Sequence, residues 1–235
     1  MTQTEIIVVT GASGAIGTAV SQQLTQDGFV VWGIDLAASE TVRQCDVSSP
    51  KDIEELAADI RGHGLLVRGL VNVAGRPGEF ALADIDADEW DNVFAVNVRS
   101  AALLIGRLSP LMCEGSSVVN FGSIAASKGV AERAAYCAAK AALMGLTRAA
   151  SVELAPKGIR VNAVNPGTID TPWVRRLING AQDPEAFGQE IADRAPVRRM
   201  GNVEEVANAV SYLISDASNF VNGTILPVDG GASAW

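Results

Sequence analysis

Glu5-Ile6-Ile7-Val8-Val9-Thr10-Gly11-Ala12-Ser13-Gly14-Ala15-Ile16-Gly17 is the stretch that decides the fold. Its first half is an apolar run of a length that suits one buried strand. Its second half is a glycine-rich turn. A helical stretch follows from about Ala15 to Gln26, closed by Asp27-Gly28, and a second apolar run from Phe29 to Ile34 ends at Asp35. Strand, glycine turn, helix, strand and acid in this order make a dinucleotide-binding βαβ unit. Glycines let the backbone approach a pyrophosphate, and the helix start offers N–H groups and a positive dipole end. Asp35, eighteen residues beyond Gly17, is placed to accept a hydrogen bond from a ribose 2′-hydroxyl. It would repel a 2′-phosphate, so the cofactor expected is NAD.

Working outward, the rest of the chain alternates between the same two kinds of segment. Asp46-Val47-Ser48-Ser49-Pro50 reads as a cap and proline start for a helix reaching about Arg61. Leu70 to Val73, Ser117 to Phe121, Ile159 to Val164 and Thr224 to Val228 read as strands; Asp88 to Leu108, Ala134 to Ala155 and Val203 to Ile214 read as helices. Alternation of this kind predicts a single-domain, doubly wound parallel α/β sheet over residues 1–235, Rossmann-like, with helices on both faces. Ligands of such sheets bind beyond the carboxyl ends of the strands, which is where Asp35, Asn72, Ser123 and Gly167 fall. Thr171 to Arg199 departs from the pattern and reads as a mobile helical lid over the substrate side.

Tyr136-Cys137-Ala138-Ala139-Lys140 carries the chemistry. At i and i+4 of a helix a phenol and an ammonium share one face. The ammonium is expected to lower the Tyr136 pKa from its usual value near ~10. A shift of roughly 3 units would be worth about 4 kcal/mol and would make Tyr136 a general acid/base near neutral pH.

These motifs together resemble the short-chain dehydrogenase/reductase family, over essentially all 235 residues. Thr10 to Gly17 is similar to the family's glycine loop, except that Ala15 stands where the middle glycine usually stands. Cys45-Asp46-Val47 is similar to the segment that touches the adenine ring. Asn72-Val73-Ala74-Gly75 is similar to the family's Asn-Asn-Ala-Gly, Asn165-Pro166-Gly167-Thr168 to the segment that holds the nicotinamide, and Val228-Asp229-Gly230-Gly231 to its C-terminal strand signature. The resemblance implies that Gly11, Ser13, Gly14, Ala15, Ile16, Gly17, Asp46, Val47, Asn72, Ala74, Gly75, Tyr136, Lys140, Pro166, Gly167, Thr168, Ile169 and Thr171 contact the cofactor. Thr168 and Thr171 would bond the nicotinamide carboxamide or simply cap the lid helix. It further implies a catalytic set of Asn97, Ser123, Tyr136 and Lys140, and a homotetramer. In that set Tyr136 exchanges a proton with the substrate hydroxyl, Ser123 bonds the substrate oxygen, Lys140 holds the nicotinamide ribose and Asn97 anchors a water beside Lys140.

Composition narrows the remaining choices. A net charge of −9, from 18 Lys and Arg against 27 Asp and Glu, argues against nucleic acid as a partner. No apolar run reaches the ~18 to 20 residues that a membrane helix needs, and the first residues lack the basic start of a signal peptide. Three cysteines without metal spacing read as reduced thiols, so the expected compartment is the cytoplasm. The single histidine, His63, builds no metal site.

The expected substrate is a small polar secondary alcohol or ketone, with sugars, sugar acids and hydroxy acids favoured. Arg76, Ala125, Val130, Glu132, Trp173 and Arg176 are the candidate pocket residues, and the guanidinium groups of Arg76, Arg175 and Arg176 would suit a carboxylate or polyol oxygen. The bland alternative has these arginines facing solvent or paired with Glu79 and Asp170. Two other functions fit less well. One is a 3-oxoacyl-carrier-protein-type reductase, which would prefer NADPH; the other is a non-catalytic NAD(H)-binding sensor, which has no need of Tyr136 and Lys140.

Overall fold

The computed structural model describes residues 3–235. In chain order it comprises β1 (Glu5–Thr10), α1 (Ala15–Gln26), β2 (Val30–Asp35), β3 (Val42–Gln44), α2 (Pro50–Gly62), β4 (Leu66–Asn72), α3 (Ala87–Phe94), α4 (Ser100–Leu108), β5 (Met112–Phe121), α5 (Ala134–Leu154), β6 (Arg160–Pro166), α6 (Pro172–Asn179), α7 (Pro184–Asp193), α8 (Val203–Ile214) and β7 (Ile225–Val228). The strands form one seven-stranded parallel sheet in the order β3-β2-β1-β4-β5-β6-β7. The chain runs outward from β1 in one direction and then restarts at β4 in the other. The crevice of such a sheet opens at that reversal, beside the ends of β1 and β4.

Both faces are covered because successive strand side chains point opposite ways. Ile6 and Val8 of β1 pack in one core with Leu56 and Ile60 of α2 and Leu104 and Leu108 of α4. Ile7 and Val9 pack in the other with Val20 and Leu24 of α1 and Val206, Val210 and Leu213 of α8. This two-sided burial is why β1 reads as a continuous apolar run. Polar caps set the helix starts. Ser49, Thr171 and Asp183 each accept an N–H bond at the head of a helix whose first residue is proline. Asn202 and Glu205 close a reciprocal capping box on α8.

Four features differ from the sequence expectation. β3, Val42-Arg43-Gln44, is an additional edge strand too short and polar to show as an apolar run. β4 begins at Leu66 and β5 at Met112, several residues earlier than expected. Their pairing shifts register between Val67 and Gly69, and Gly115 takes φ +85°, so a β-irregularity interrupts the period-2 pattern there. The long helix expected from Asp88 to Leu108 is split by a π turn at Ala95–Arg99. Two helices, α6 and α7, make up the lid segment.

Candidate active site

The cofactor side of the crevice is shaped by missing side chains. Gly11 has φ +64°, and a Cβ there would come within 3.0 Å of the Ala74 backbone. A Cβ on Gly17 would lie 2.0 Å from the Gly11 carbonyl oxygen, so α1 rests directly on the loop it follows. Thr10 Oγ1 accepts the Ala74 N–H at 2.9 Å, tying the ends of β1 and β4 together. Gly14 is the N-cap of α1 and offers no side chain, so nothing from the cap competes for the first helical N–H groups. Ala15 is the first helical residue.

Asp35, at the end of β2, is held over this loop: one carboxylate oxygen accepts the Ser13 N–H at 2.9 Å and the other the Leu36 N–H at 2.7 Å. Asp46 is fixed by the Ser48 N–H and hydroxyl at 2.8 and 2.7 Å, and Val47 is buried beside it. Asn72 Nδ2 donates to Asn120 Oδ1 at 2.8 Å, and Asn120 in turn donates to Thr147 on α5 at 2.9 Å. Pro166 ends β6; Gly167 donates its N–H to Val228 at 3.0 Å, and a Cβ on it would meet Asp229 at 2.9 Å. Thr168 accepts the Gly201 N–H, Ile169 is buried, and Thr171 caps α6 through the Val174 N–H at 3.4 Å.

The four expected catalytic residues come from three different elements and converge. Ser123 lies just past β5, and its hydroxyl accepts the Ala125 N–H at 3.1 Å. Tyr136 and Lys140 are on α5, with Lys140 Nζ 5.5 Å from the Tyr136 ring centre. Lys140 is buried and donates to the Phe121 carbonyl at 2.7 Å. Asn97 sits in the π turn, a device common at functional sites. Its Nδ2 donates to the Val93 and Arg76 carbonyls, both at 2.8 Å, which leaves Oδ1 buried without a protein partner among the described residues. The position of a Cβ on Gly75 would be 3.0 Å from that Oδ1 and 3.5 Å from Lys140 Nζ. Asn97 and Lys140 therefore flank Gly75 at the end of β4.

The electrostatics correct one expectation. Burial dominates at Tyr136 and raises its pKa above the ordinary phenol value; the Ser123 hydroxyl and the Arg133 guanidinium act in the opposite direction. Lys140, whose ammonium was expected to do that work, is instead pushed down to about 8 by its own burial.

The arginines expected in the pocket also behave differently from one another. Arg76 is clamped by Glu89, with Nη2 2.8 and 3.0 Å from its two oxygens. Arg175 is clamped by Asp170 through two bonds of 2.6 and 2.7 Å. Both fulfil the bland reading, although the partner of Arg76 is Glu89 and not Glu79. Arg176, Val130, Glu132 and Trp173 are exposed and Ala125 is buried. Arg133 was not among the expected pocket residues; it pairs with Glu79 and stacks its Cζ 5.2 Å from the Trp173 ring centre. A pocket of about 290 Å³ is lined by Ile124, by Thr168 and Ile169, by the end of α7 and by the segment after β7; Tyr136 and Lys140 are not in its lining. His63 caps the end of α2, and no group of three His, Cys, Asp or Glu side chains suited to a metal ion occurs among the described residues.

Residues 11–233 match a protein family described as enoyl-(acyl carrier protein) reductase. A 2-(S)-hydroxypropyl-CoM dehydrogenase of Xanthobacter autotrophicus is 35% identical, over 98% of this chain and 97% of that protein. Dehydrogenase/reductase SDR family member 6 of Danio rerio is 33% identical, over 97% and 96%. The chain belongs to the short-chain dehydrogenase/reductase family. Among solved structures, the aldohexose dehydrogenase of Thermoplasma acidophilum superposes with a TM-score of 0.92 at 31% identity, over 99% of this chain and 95% of that one. An NAD+-bound xylitol dehydrogenase superposes with a TM-score of 0.87 at 30% identity, over 97% and 99%. As a member of this family the protein is an oxidoreductase enzyme. No helix among the described residues is long and apolar enough to cross a membrane.

Proposed function

We propose that this short-chain dehydrogenase/reductase uses NAD to interconvert a small polar secondary alcohol and its ketone. The observation that carries the reading is the convergence of Ser123, Tyr136, Lys140 and Asn97 at the carboxyl ends of β4 and β5. The glycine cradle of Gly11 and Gly17, the Asp35 carboxylate and the unpartnered Asn97 Oδ1 all fit a bound dinucleotide. Gly11, Ser13, Gly14, Ala15, Ile16 and Gly17 would hold its phosphates, Asp35 its adenosine ribose, Asp46 and Val47 its adenine, and Asn72, Ala74, Gly75, Tyr136 and Lys140 its nicotinamide half, with Pro166, Gly167, Thr168, Ile169 and Thr171 closing over it. The nicotinamide supplies the hydride acceptor or donor at C4.

The chain's own groups handle the proton. In alcohol oxidation Tyr136 takes the hydroxyl proton; in ketone reduction it returns one to the carbonyl oxygen. Ser123 donates a hydrogen bond to that oxygen and stabilises its developing negative charge. Lys140 holds a ribose hydroxyl and, with Asn97, forms the polar route by which Tyr136 is recharged from solvent.

NAD is favoured because a 2′-phosphate would sit against the Asp35 carboxylate, and no Arg or Lys occurs in the 10–17 loop to offset the repulsion. A 34% identical 3-oxoacyl-[acyl-carrier-protein] reductase of Pseudomonas aeruginosa supports an acyl-carrier reductase as the second reading. Catalytic efficiencies with NADH and NADPH on a panel of hydroxy acids, sugars and 3-oxoacyl thioesters separate the two. Preference for NADPH with an acyl thioester would overturn the reading favoured here.

Assembly as a homotetramer belongs to the same proposal. The outward face of α5 carries Ala141, Ala142, Gly145 and Ala149, all small and exposed, and ends in Val152 at 75% exposure. Small residues let a second copy approach closely. A monomeric mass by light scattering would remove this part.

A further inference from the structure

Arg133 stands apart from every other arginine near the crevice. It is the N-cap residue of α5, three residues before Tyr136, and its charge acts on the Tyr136 phenol. Its side chain is only 20% exposed, whereas those of Arg76 and Arg175 are 49% and 67% exposed. Arg76 and Arg175 each give two nitrogens to a carboxylate. Arg133 engages Glu79 through Nη2 alone, and its Nε and Nη1 make no hydrogen bond among the described residues.

Its frame is rigid. Glu132, immediately before it, is held at φ +61°, a costly conformation for a residue with a side chain. The Phe80 N–H bonds the Glu132 carbonyl at 2.9 Å, and Phe80 and Arg133 form an isolated β-bridge. The loop after β4, the start of α5 and lid helix α6 therefore meet at one guanidinium, with Trp173 of the lid against its face. Its charge reaches the reacting group, since Arg133 is among the influences that lower the Tyr136 pKa.

We propose that Arg133, backed by Glu79 and covered by Trp173, is a subsite for a carboxylate of the substrate, which makes the substrate a short hydroxy acid or sugar acid in preference to a neutral sugar or alcohol. The inference rests on the function proposed above and narrows it. The guanidinium offers a planar pair of donors that matches a carboxylate. Its place at the head of the helix that carries Tyr136 sets the carboxylate a few carbons from the carbon that is oxidised. Glu79 fixes the direction of the fork, and Trp173 removes water from one of its faces.

Matched pairs test this: 3-hydroxybutyrate against 3-hydroxybutyramide, lactate against lactamide, and gluconate against glucitol, each with NAD, in the wild type, Arg133→Gln and Arg133→Lys. NADH binding is measured on the same preparations to confirm folding. The acid of at least one pair should exceed its neutral partner by at least tenfold in kcat/KM, as a charged hydrogen bond implies. In Arg133→Gln that ratio should collapse through KM, and Arg133→Lys should restore part of it. Equal use of acid and neutral partner by the wild type, or an equal loss for both in Arg133→Gln, would overturn the proposal.

A second arm needs no turnover. Acetoacetate and succinate are titrated into the enzyme–NADH complex and followed by nicotinamide fluorescence. Binding that weakens at least tenfold in Arg133→Gln supports the anion subsite; no binding of either carboxylate at millimolar concentration counts against it. If carboxylates bind through Arg133 while no alcohol or ketone is turned over, the function proposed above fails and the subsite stands.

Discussion

The cofactor half of the crevice and its substrate half are built by opposite means. Around β1, α1 and the end of β4 the shape is set by backbone: Gly11 and Gly17 leave no room for a Cβ, and Thr10 ties the Ala74 N–H in place. Across the crevice, the loop after β4 and lid helix α6 are held by long charged side chains, in the pairs Arg76–Glu89, Arg133–Glu79 and Arg175–Asp170. The first kind of construction tolerates almost no substitution. In the second, the pairs of Arg76 and Arg175 exchange residues at little cost, because exposed ion pairs contribute about 0 to 1 kcal/mol each. A fold that keeps one cofactor while changing substrates needs this division.

The sharpest break of the comparison is Gly17→Ala. Its methyl would meet the Gly11 carbonyl, so α1 and the loop must part, at a cost of about 3 kcal/mol. Denaturant unfolding should show that loss together with loss of NADH binding. A variant with normal stability and affinity would mean that the glycine cradle is looser than its geometry. Asp35→Ala comes next. It should lower the NAD to NADP ratio of kcat/KM by at least about tenfold while leaving the fold intact. An unchanged ratio would take cofactor selection away from Asp35.

The proton chemistry gives a pH prediction. Burial raises the Tyr136 pKa above its ordinary value and brings Lys140 down to about 8. Alcohol oxidation draws on the phenolate, whose population grows as pH rises towards the Tyr136 pKa. Ketone reduction draws on the phenol, which is lost in the same range. Oxidation should therefore still be climbing at about pH 9, and reduction should weaken only above the ordinary phenol pKa of ~10. An oxidation rate already level at neutral pH would show that Tyr136 is not the group titrated.

Two smaller effects follow, one on each half. Asn202→Ala removes the capping box of α8 and should cost about 1 kcal/mol in unfolding free energy. Arg76→Ala should change kcat/KM by less than about threefold, since its guanidinium is already held by Glu89 in an exposed pair. A larger loss confined to substrate KM would return Arg76 to the pocket.

Much of this was legible in the sequence where one periodicity ruled without interruption. α1 and α8 have the bounds that the pattern gave, Ala15–Gln26 and Val203–Ile214, because each packs one apolar stripe on a single sheet face. β3 escaped because Val42-Arg43-Gln44 is an edge strand with one buried side at most, and such strands lack an apolar signature. The π turn around Asn97 escaped because it inserts no breaker residue; the helical pattern runs through it. In the site, Ser123, Tyr136 and Lys140 declared themselves by spacing. The sign of the Tyr136 shift did not, since it depends on how deeply the phenol is buried and on where the Lys140 ammonium finds its hydrogen bond. Arg133 was visible three residues before Tyr136, yet its meaning needed Glu79, fifty-four residues away, and Trp173 of the lid.

The central claim is that Tyr136 transfers the proton at a site whose cofactor hold rests mainly on other groups, so that the loss of one hydroxyl leaves it largely intact. The direct measurement is the single-turnover rate of alcohol oxidation in Tyr136→Phe beside the wild type, with NADH affinity taken on the same samples. The ring stays and only the hydroxyl is lost, so the rate should fall by about 10² to 10⁴ while NADH affinity changes little. A Tyr136→Phe enzyme that oxidises the alcohol at a near-normal rate would contradict the account.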